Sequence, residues 1–162
     1  RKNPQPNRDI PMRTVIQRVS QASVSVEGRC VGRIAHGLLV LVAFTAEDSE
    51  RECQWMAEKI LKLRLFDDSE GRMNLDVVEA GGGILVVSQF TLYGDAHKGS
   101  RPSYIRSAPA AVAEPLYQRF VEILTSRQLC PVEQGQFGAM MSVELTNSGP
   151  VTLMVDSPQP NG

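Results

Sequence analysis

The chain has 162 residues, a length that suits one folded domain, since a domain averages about 150 residues. Hydrophobic residues make up 42% and charged residues 22%, close to globular averages, which excludes a wholly disordered, collagen-like or coiled-coil chain. With 17 Lys and Arg against 18 Asp and Glu, the formal charge is −1. Any contact with nucleic acid or anionic lipid must therefore use a local basic patch.

The sequence shows no membrane-spanning or signal segment and no cysteine pattern typical of disulfides or zinc sites. The longest apolar run, Gly37 to Phe44, is too short to cross a bilayer, and no apolar signal region follows the first residues. Cys30, Cys53 and Cys130 lie far apart without a C-x-x-C pair, which predicts buried free thiols rather than a disulfide framework or a zinc site. We therefore expect a cytoplasmic protein with no membrane contact.

The first part of the chain predicts a tail followed by strands. Residues 1–11 contain three prolines and four charged residues, so we expect a flexible tail there, one domain over 12–157 and a short C-terminal tail over 158–162. Apolar and polar residues alternate in two runs, Thr14–Ser20 and Ser23–Val26, as in half-buried strands. A turn at Glu27–Arg29 then leads into further strands at Cys30–Ile34 and Gly37–Phe44.

Helical spacing predicts two helices. The first follows Asp48 and runs through Leu63, and the second runs from about Ala110 to Arg127. Their inner faces are predicted to carry Cys53, Met56, Ala57, Ile60 and Leu63, and Ala113, Leu116, Phe120, Ile123 and Leu124. Further strands are predicted at Leu65–Phe66, Ile84–Phe90, Met140–Leu145 and Val151–Val155, with a turn at Thr146–Pro150 between the last two. The pattern predicts an α+β fold, mostly of strands, with two main helices.

Several common kinds of chemistry find no support in the sequence. His36 and His97 belong to no metal-ligand spacing, so we expect no metal and no other cofactor. The glycines of Gly94–Ser100 are spaced as in a phosphate-binding loop, but no lysine follows the second glycine. No G-x-S-x-G elbow surrounds any serine, which argues against a Ser-His-Asp triad.

Two polar segments remain, Ser88–Leu92 at the end of an apolar strand and Asn147–Thr152 between two strands. Either one alone is compatible with ordinary backbone capping or a tight turn. Thr91 is a candidate side-chain nucleophile, but no base is identifiable near it in the sequence, and a threonine hydroxyl without a base is a weak nucleophile.

Taken together, these segments resemble the D-aminoacyl-tRNA deacylase family over Met12 to about Ser157. The resemblance is carried by Ile16-Gln17-Arg18-Val19, Ala22-Ser23-Val24, Ser88-Gln89-Phe90-Thr91-Leu92, Arg101-Pro102-Ser103, Phe137-Gly138-Ala139 and Asn147-Ser148-Gly149-Pro150-Val151-Thr152. It implies a compact β-barrel-like domain with its helices outside, and a homodimer whose active sites lie at the subunit interface. It also implies hydrolysis of the ester bond of D-aminoacyl-tRNA.

The resemblance further implies a means of chiral selection. The Gly149–Pro150 peptide bond is expected to be cis, and the pair to enter the partner's pocket and exclude L-amino acids, with Arg18 steadying the turn. Glycine has no side chain to clash, so glycyl-tRNA mischarged on tRNA(Ala) is expected as a second substrate.

The remaining assignments concern catalysis and RNA binding. We expect the backbone N–H groups of Phe90 and Thr91 to stabilise the oxyanion. Ser88 and Gln89, in the same segment, are further candidate catalytic residues. The attacking group is expected to be water, assisted by the terminal 2′-OH of the RNA. Phe90 is a further candidate for the adenosine pocket. The expected RNA contacts are Phe137 and Met141 at the terminal adenosine, and Lys98, Arg101 and Arg106 at phosphates.

Two other functions stay open at this stage. One is a nucleic-acid-binding module without catalysis that uses the basic loop from Lys98 to Arg106. It would show salt-sensitive affinity and no turnover. The other is a hydrolase of free D-aminoacyl esters or peptides with Thr91 as nucleophile, which would turn over without RNA.

Overall fold

One long strand organises the sheet of the computed structural model, which describes residues 10–159. The strands are β1 (Arg13–Val26), β2 (Arg29–Ile34), β3 (Gly37–Ala43), β4 (Phe66–Asp67), β5 (Met73–Leu75), β6 (Gly83–Ser88), β7 (Val132–Gln134) and β8 (Ser142–Asp156). The helices are α1 (Glu50–Lys62) and α2 (Ala110–Ser126), with a 3₁₀-helix at Phe90–Tyr93. Strands β4 and β5 form a small separate hairpin.

Strand β1 pairs on both of its edges. On one edge it is antiparallel to β3 along Arg13–Val19 and to β2 along Ala22–Val26, and on the other edge it is antiparallel to β8. Beyond β3 the sheet continues with the parallel strands β6 and β7. The crossovers from β3 to β6 and from β6 to β7 contain α1 and α2, as parallel pairing requires a long connection.

The sheet curves until β2 approaches β7, where a Cβ on Gly32 would lie 2.6 Å from the carbonyl oxygen of Gln134. This nearly closed, barrel-like sheet with two helices confirms the predicted α+β fold. The pairings of β3 with β6 and of β6 with β7 are parallel, which the mostly antiparallel prediction did not include.

The sheet buries apolar residues on both faces. One face of β3 and β6 packs against the helices through Leu38, Val40, Val42, Ile84 and Val86. The opposite face lies inside the curve and holds a second cluster, formed by Val19, Ala22, Val24, Ile34, Leu39, Leu85 and Val87. This two-sided burial explains the uninterrupted apolar run of β3.

Both helices form close to where the sequence predicts them. Helix α1 begins after Ser49, whose backbone N–H and hydroxyl both donate to Glu52 Oε2 at 2.7 Å, and it ends at Lys62, one residue before the predicted end. Its predicted inner residues from Cys53 to Ile60 are buried. In α2, Leu116 is only half-buried, whereas Tyr117 is fully buried. The side chain at position 117, rather than 116, therefore faces the sheet.

Two predictions of strand boundaries are wrong, and one strand was missed. The strand expected over Ile84–Phe90 ends at Ser88, because the chain turns at Gln89 into the 3₁₀-helix. Strand β7 was not predicted, since three residues carry too little periodicity. The two strands expected at Met140–Leu145 and Val151–Val155 are one strand, β8, because both halves pair with β1 and the predicted turn is a looped-out part of the same ladder.

Other features of the ends and surface also bear on the predictions. Residues 1–9 and 160–162 of the two predicted tails lie outside the described residues, and Pro11 is buried and accepts a hydrogen bond from Tyr93 Oη at 2.7 Å. Cys53 is buried as predicted, but Cys130 is half-buried and Cys30 is exposed. Within residues 10–159, no helix has both the length and the apolar character that crossing a membrane would require.

Candidate active site

A cavity of about 510 Å³ opens where β3 and β6 end. Its wall also includes the first turn of α2 and the segment from Phe137 to Met141. Ser88, Gln89, Phe90, Phe137 and Met141, all predicted from the sequence as site residues, line this one cavity. The fold therefore brings together residues that are about 50 positions apart in the chain.

The cavity wall carries no ionisable side chain. Among the described residues that line it, the polar side chains are Ser88 and Gln89, and the others are apolar or glycine. The small residues Ala110 and Ala113 keep the side bordered by α2 open. The first turn of α2 contains no acidic residue, so its positive dipole end is not neutralised by a side chain of that turn. The wall therefore offers polar backbone groups rather than a general base.

The backbone at Phe90 and Thr91 is positioned to donate hydrogen bonds. The 3₁₀-helix begins at Phe90, and the first N–H groups of such a helix have no acceptor within it. The turn is fixed on both sides, since the Gln89 N–H donates to the Val42 carbonyl at 2.8 Å and Ser107 Oγ donates to the Phe90 carbonyl at 2.9 Å. Within residues 10–159, no hydrogen bond takes up the N–H of Phe90 or Thr91.

The Thr91 hydroxyl lies outside the cavity wall. It is exposed and accepts a hydrogen bond from the side-chain amide of Gln89. An amide N–H cannot take a proton from a hydroxyl, and in the described part of the chain no histidine or carboxylate contacts this oxygen. The geometry gives Thr91 no base.

Phe137 and Met141 are held by partners that sequence reasoning missed. The ring of Tyr117 lies 5.7 Å from that of Phe137, and Tyr117 Oη donates to the Val86 carbonyl at 3.1 Å. Burial raises the pKa of Tyr117 above its usual value, so the hydroxyl stays a donor. A Cβ on Gly135 would lie 2.8 Å from the sulfur of Met141, so a glycine there lets Met141 pack closely. The spacing of Ala113, Tyr117 and Phe120 was the available sequence signal for Tyr117.

The Gly149–Pro150 pair is part of a loop within β8. The register passes from Val19 opposite Asn147 to Gln17 opposite Thr152, so Ser148 to Val151 stand against Arg18 alone. The Gly149–Pro150 peptide bond is cis, as the resemblance implies, and both residues are exposed.

Arg18 connects this loop to the hairpin that follows α1. Its Nε donates to the Ser148 carbonyl at 3.0 Å, and its Nη1 donates to the Leu65 carbonyl at 2.7 Å and lies 3.5 Å from Asp67 Oδ1. The Arg18 side chain is mostly buried, so these contacts are shielded from water.

The side chain of Asn147 connects the two ends of the loop by hydrogen bonds. Its Oδ1 accepts the Val151 N–H at 2.9 Å, and its Nδ2 donates to Thr152 Oγ1 at 2.8 Å. Sequence reasoning quoted Asn147 as part of a motif but gave it no role. An asparagine just before a Gly-Pro turn is the signal that could have indicated one.

Within one chain the Gly149–Pro150 loop and the cavity lie apart. Arg18 pairs with Leu38, whereas Ser88 pairs with Val42, four residues further along β3. At about 3.3 Å per residue, this is about 13 Å along the strand. Neither Gly149 nor Pro150 lines the cavity, so a single chain does not bring the two predicted parts of the site together.

The predicted cationic residues lie on the segment that follows the 3₁₀-helix. Lys98 and Arg101 are exposed and Arg106 is half-buried, and none of the three forms an ion pair with another described residue. Between residues 10 and 159, no three His, Cys, Asp or Glu side chains cluster closely enough to hold a metal ion.

Known proteins match this chain over most of its length. The family model described as D-Tyr-tRNA(Tyr) deacylase matches residues 15–156. The D-aminoacyl-tRNA deacylase of Chloroherpeton thalassium is 55% identical over 91% of this chain and 97% of its own length. That of Brevibacillus brevis is 54% identical over 90% of this chain and 100% of its own.

Two solved structures are also similar. A structure titled c-Myc DNA Unwinding Element Binding Protein superposes with a TM-score of 0.84 at 38% identity, covering 91% of this chain and 99% of its own. A probable eukaryotic D-amino acid tRNA deacylase has a TM-score of 0.77 at 21% identity, covering 90% of this chain and 98% of its own, and supports the fold. With the family match and the curated relatives, these findings show that the chain belongs to the D-aminoacyl-tRNA deacylase family and is a hydrolase of D-aminoacyl-tRNA.

Proposed function

We propose that the cavity beside the 3₁₀-helix binds the terminal adenosine and its D-amino acid, and that a second copy of the chain supplies Gly149–Pro150 as the chiral selector. One observation carries this proposal: within residues 10–159, the N–H groups of Phe90, which lines the cavity, and of the next residue, Thr91, donate to no acceptor, and no ionisable side chain lines the cavity. Such a site can stabilise negative charge but cannot supply a general base.

In this mechanism the N–H groups of Phe90 and Thr91 stabilise the oxyanion. When water attacks the ester carbonyl carbon, negative charge develops on the carbonyl oxygen, where preorganised donors are most effective. The unneutralised N-terminal turn of α2 adds a favourable field. Ser88 and Gln89 provide the other polar groups of the wall, and Gln89 fixes the turn through Thr91.

The substrate supplies the proton transfer. The terminal ribose 2′-OH, next to the 3′ ester, accepts the proton of the attacking water while its own proton passes to the departing 3′ oxygen. The products are the free amino acid and a tRNA with an intact 3′-OH. A base on the enzyme is not required, which agrees with the apolar wall.

Chirality is selected by exclusion. Carbonyl oxygens of the partner's Gly149–Pro150 loop hold the substrate's ammonium group and fill the space that an L side chain would occupy. A D side chain points away from the loop and is not gripped, so many D-amino acids are accepted. Glycine has no side chain to exclude, and glycyl-tRNA mischarged on tRNA(Ala) is a second substrate.

The RNA is held by the cavity and by the segment beside it. Phe90, Phe137 and Met141 offer apolar surface to the terminal adenosine, and Lys98, Arg101 and Arg106 lie where acceptor-stem phosphates would pass. We place the activity in the cytoplasm, where aminoacyl-tRNA is made and used.

Chirality is tested by deacylation of matched D-tyrosyl-tRNA, L-tyrosyl-tRNA and glycyl-tRNA(Ala) under identical conditions. We expect rapid hydrolysis of the first and third and none of the second above the uncatalysed rate. Similar rates on the D and L substrates would defeat the selector proposal.

Assembly is tested separately by sedimentation at the assay concentration. Because Gly149–Pro150 and the cavity lie apart in one chain, we expect a dimer to be the active species. A verified monomer with full activity would contradict the cross-subunit site.

A second candidate function, in addition to hydrolysis, is the binding of DNA. It is favoured by the 38%-identical solved protein, whose name describes binding to a DNA unwinding element, and by Lys98, Arg101 and Arg106, which form no ion pair within residues 10–159. Salt-sensitive affinity for DNA in a protein that also hydrolyses D-aminoacyl-tRNA would support this second function.

A further inference from the structure

An exposed aromatic pair stands at the mouth of the cavity. Phe90 is 58% exposed and Tyr104 is 39% exposed, and their ring centroids lie 5.3 Å apart with an interplanar angle of 76°. In this edge-to-face arrangement, the ring that contributes its edge has both faces free of its partner. Ile105 and Met140, exposed by 91% and 92%, extend the apolar surface.

The segment that carries Tyr104 is fixed in place. The N–H of Asp95 donates to the Ser103 carbonyl and the N–H of Ser103 donates to the Asp95 carbonyl, both at 2.8 Å, which closes the loop between them. Beyond Tyr104, the Ala108 N–H donates to the Phe44 carbonyl at 2.9 Å.

Tyr104 also packs directly on the 3₁₀ turn. A Cβ on Gly94 would lie 2.9 Å from Tyr104 Cε1, so the ring rests against the backbone there. The Tyr104 ring is therefore held against the backbone, and the aromatic pair forms a surface before any ligand binds.

The charge around this surface suits a polyanion. The same segment contributes Lys98, Arg101 and Arg106, none of them ion-paired among the residues described. Asp95 is the only acid between Tyr93 and Pro109, and its Oδ1 is engaged by the His97 N–H at 2.9 Å. Exposed aromatic rings next to unpaired cations are the combination with which proteins bind single-stranded nucleic acid.

We propose that the Phe90–Tyr104 pair is a stacking site for the base of the nucleotide that precedes the terminal adenosine of the RNA. Lys98, Arg101 and Arg106, on the segment that carries Tyr104, then face the phosphates of the RNA. The inference rests on the proposed function, because the terminal adenosine must occupy the cavity for the preceding base to emerge at its mouth. The cavity then binds one nucleoside, and the aromatic pair binds the next nucleotide of the unpaired 3′ end.

The test compares two D-tyrosyl esters that differ in RNA length, D-tyrosyl-tRNA and 3′-O-(D-tyrosyl)adenosine. Tyr104→Leu keeps an apolar side chain on Gly94 but removes the ring, so kcat/KM on the tRNA ester is expected to fall about 5- to 100-fold, mainly through KM. On the adenosine ester the decrease should be less than about twofold, because that substrate has no preceding base. Tyr104→Phe keeps the ring and should match the wild type on both esters.

Leu129→Ala is the matched control, since it removes an exposed apolar side chain outside the site and should change neither rate. An equal loss on both esters, or no loss on either, would overturn the stacking site. A change in sedimentation mass of Tyr104→Leu would also overturn it, by assigning the surface to a contact between copies.

Binding separates this inference from the proposed function. A wild-type protein that hydrolyses neither ester would defeat the proposed function, yet affinities for the trinucleotide CCA and for adenosine would still decide the stacking site. Tighter binding of CCA than of adenosine, lost in Tyr104→Leu and kept in Tyr104→Phe, supports it. Equal affinities for the two ligands contradict it.

Discussion

The two candidate parts of the site, at opposite ends of β3, depend on different chemical groups. At the end near Ser88, no ionisable side chain lines the cavity, and Ser88 and Gln89 are the polar side chains among its described lining residues. At the end near Leu38, the Gly149–Pro150 loop is held by side chains, with Arg18 and Asn147 contacting the backbone on either side of it. The two ends should therefore respond differently to substitution. Substituting Arg18 or Asn147 should disturb the loop strongly, whereas the N–H groups of Phe90 and Thr91 remain when a side chain at the cavity is replaced.

The sharpest test of the cavity end changes the substrate rather than the protein. A tRNA ending in 2′-deoxyadenosine and carrying D-tyrosine on its 3′ oxygen lacks the hydroxyl that relays the proton. General acid–base catalysis contributes about 10²- to 10⁴-fold, so single-turnover deacylation should slow by this factor. An undiminished rate would show that a group on the protein performs the transfer.

Removing Arg18 should have the largest effect among substitutions at the loop end. Arg18→Ala deletes charged hydrogen bonds to the Ser148 and Leu65 carbonyls, each worth about 1.5–3 kcal/mol. We expect the ratio of kcat/KM for D- over L-tyrosyl-tRNA to fall on the order of 100-fold.

Arg18→Lys is the matched variant for this position. One ammonium group cannot reach both carbonyls in the geometry of the guanidinium fork, so rescue should be partial. Thermal unfolding of both variants separates a loosened loop from a lost fold. An unchanged D-to-L ratio in a folded Arg18→Ala protein would contradict the role of Arg18.

Gly149→Ala should have a smaller effect, measured on the hydrolysis of D-tyrosyl-tRNA. Gly149 has φ +127°, and a Cβ there would lie 2.7 Å from Arg18 Nη2 and 2.9 Å from Val151 Cγ2. Strain of about 1–3 kcal/mol displaces the loop, and we expect activity on D-tyrosyl-tRNA to fall about 10-fold. Gly71→Ala is the control, because Gly71 also has positive φ but open space around it. Equal effects of the two substitutions would assign the loss to backbone strain alone.

Thr91→Ala should have the smallest effect. The hydroxyl has no base and the Thr91 N–H remains, so we expect a decrease of less than about fivefold in kcat, where loss of a true nucleophile costs several orders of magnitude. Mass spectrometry of the wild-type protein during turnover provides the complementary measurement. A trapped acyl-enzyme on Thr91 would revive the nucleophile mechanism.

Much of the fold could be predicted from local pattern. Alternation and helical spacing indicate β1 to β3, α1 and α2 within a few residues, because those elements bury one or both faces over several turns or pairs. Strand β7 has three residues and is defined by its pairing with β6, so no local signal predicts it. The break predicted in β8 followed the turn-forming residues Asn147 to Pro150, and only the pairing of both halves with β1 shows that the strand continues.

The site divides in the same way. The motifs containing Ser88 and Gly149 could be found in the sequence because their polar residues interrupt apolar runs. Helical spacing could have placed Tyr117 on the inner face of α2. Its hydrogen bond to Val86, and the contacts of Leu65 and Asp67 with Arg18, could not be predicted, because each joins elements distant in the chain. Leu65 contributes only a carbonyl oxygen, which every residue possesses. Sequence reasoning therefore named the candidate groups of the site and, through the resemblance, Arg18, but missed the other residues that hold them.

The proposed chiral selector, the Gly149–Pro150 loop, is a looped-out part of β8 and could be removed without removing the strand. Deleting Ser148 to Pro150 would place Val151 opposite Arg18 and remove the larger irregularity in the ladder with β1, leaving only the bulge at Ser20. Val151 already packs in the core on the helix-facing side of the sheet, together with Ile16 of β1, so the shortened strand keeps its inward and outward faces. The selector is thus an insertion in a ladder that continues on both sides of it, and other loops closed by the same two flanking residues could be grafted there without redesigning the barrel.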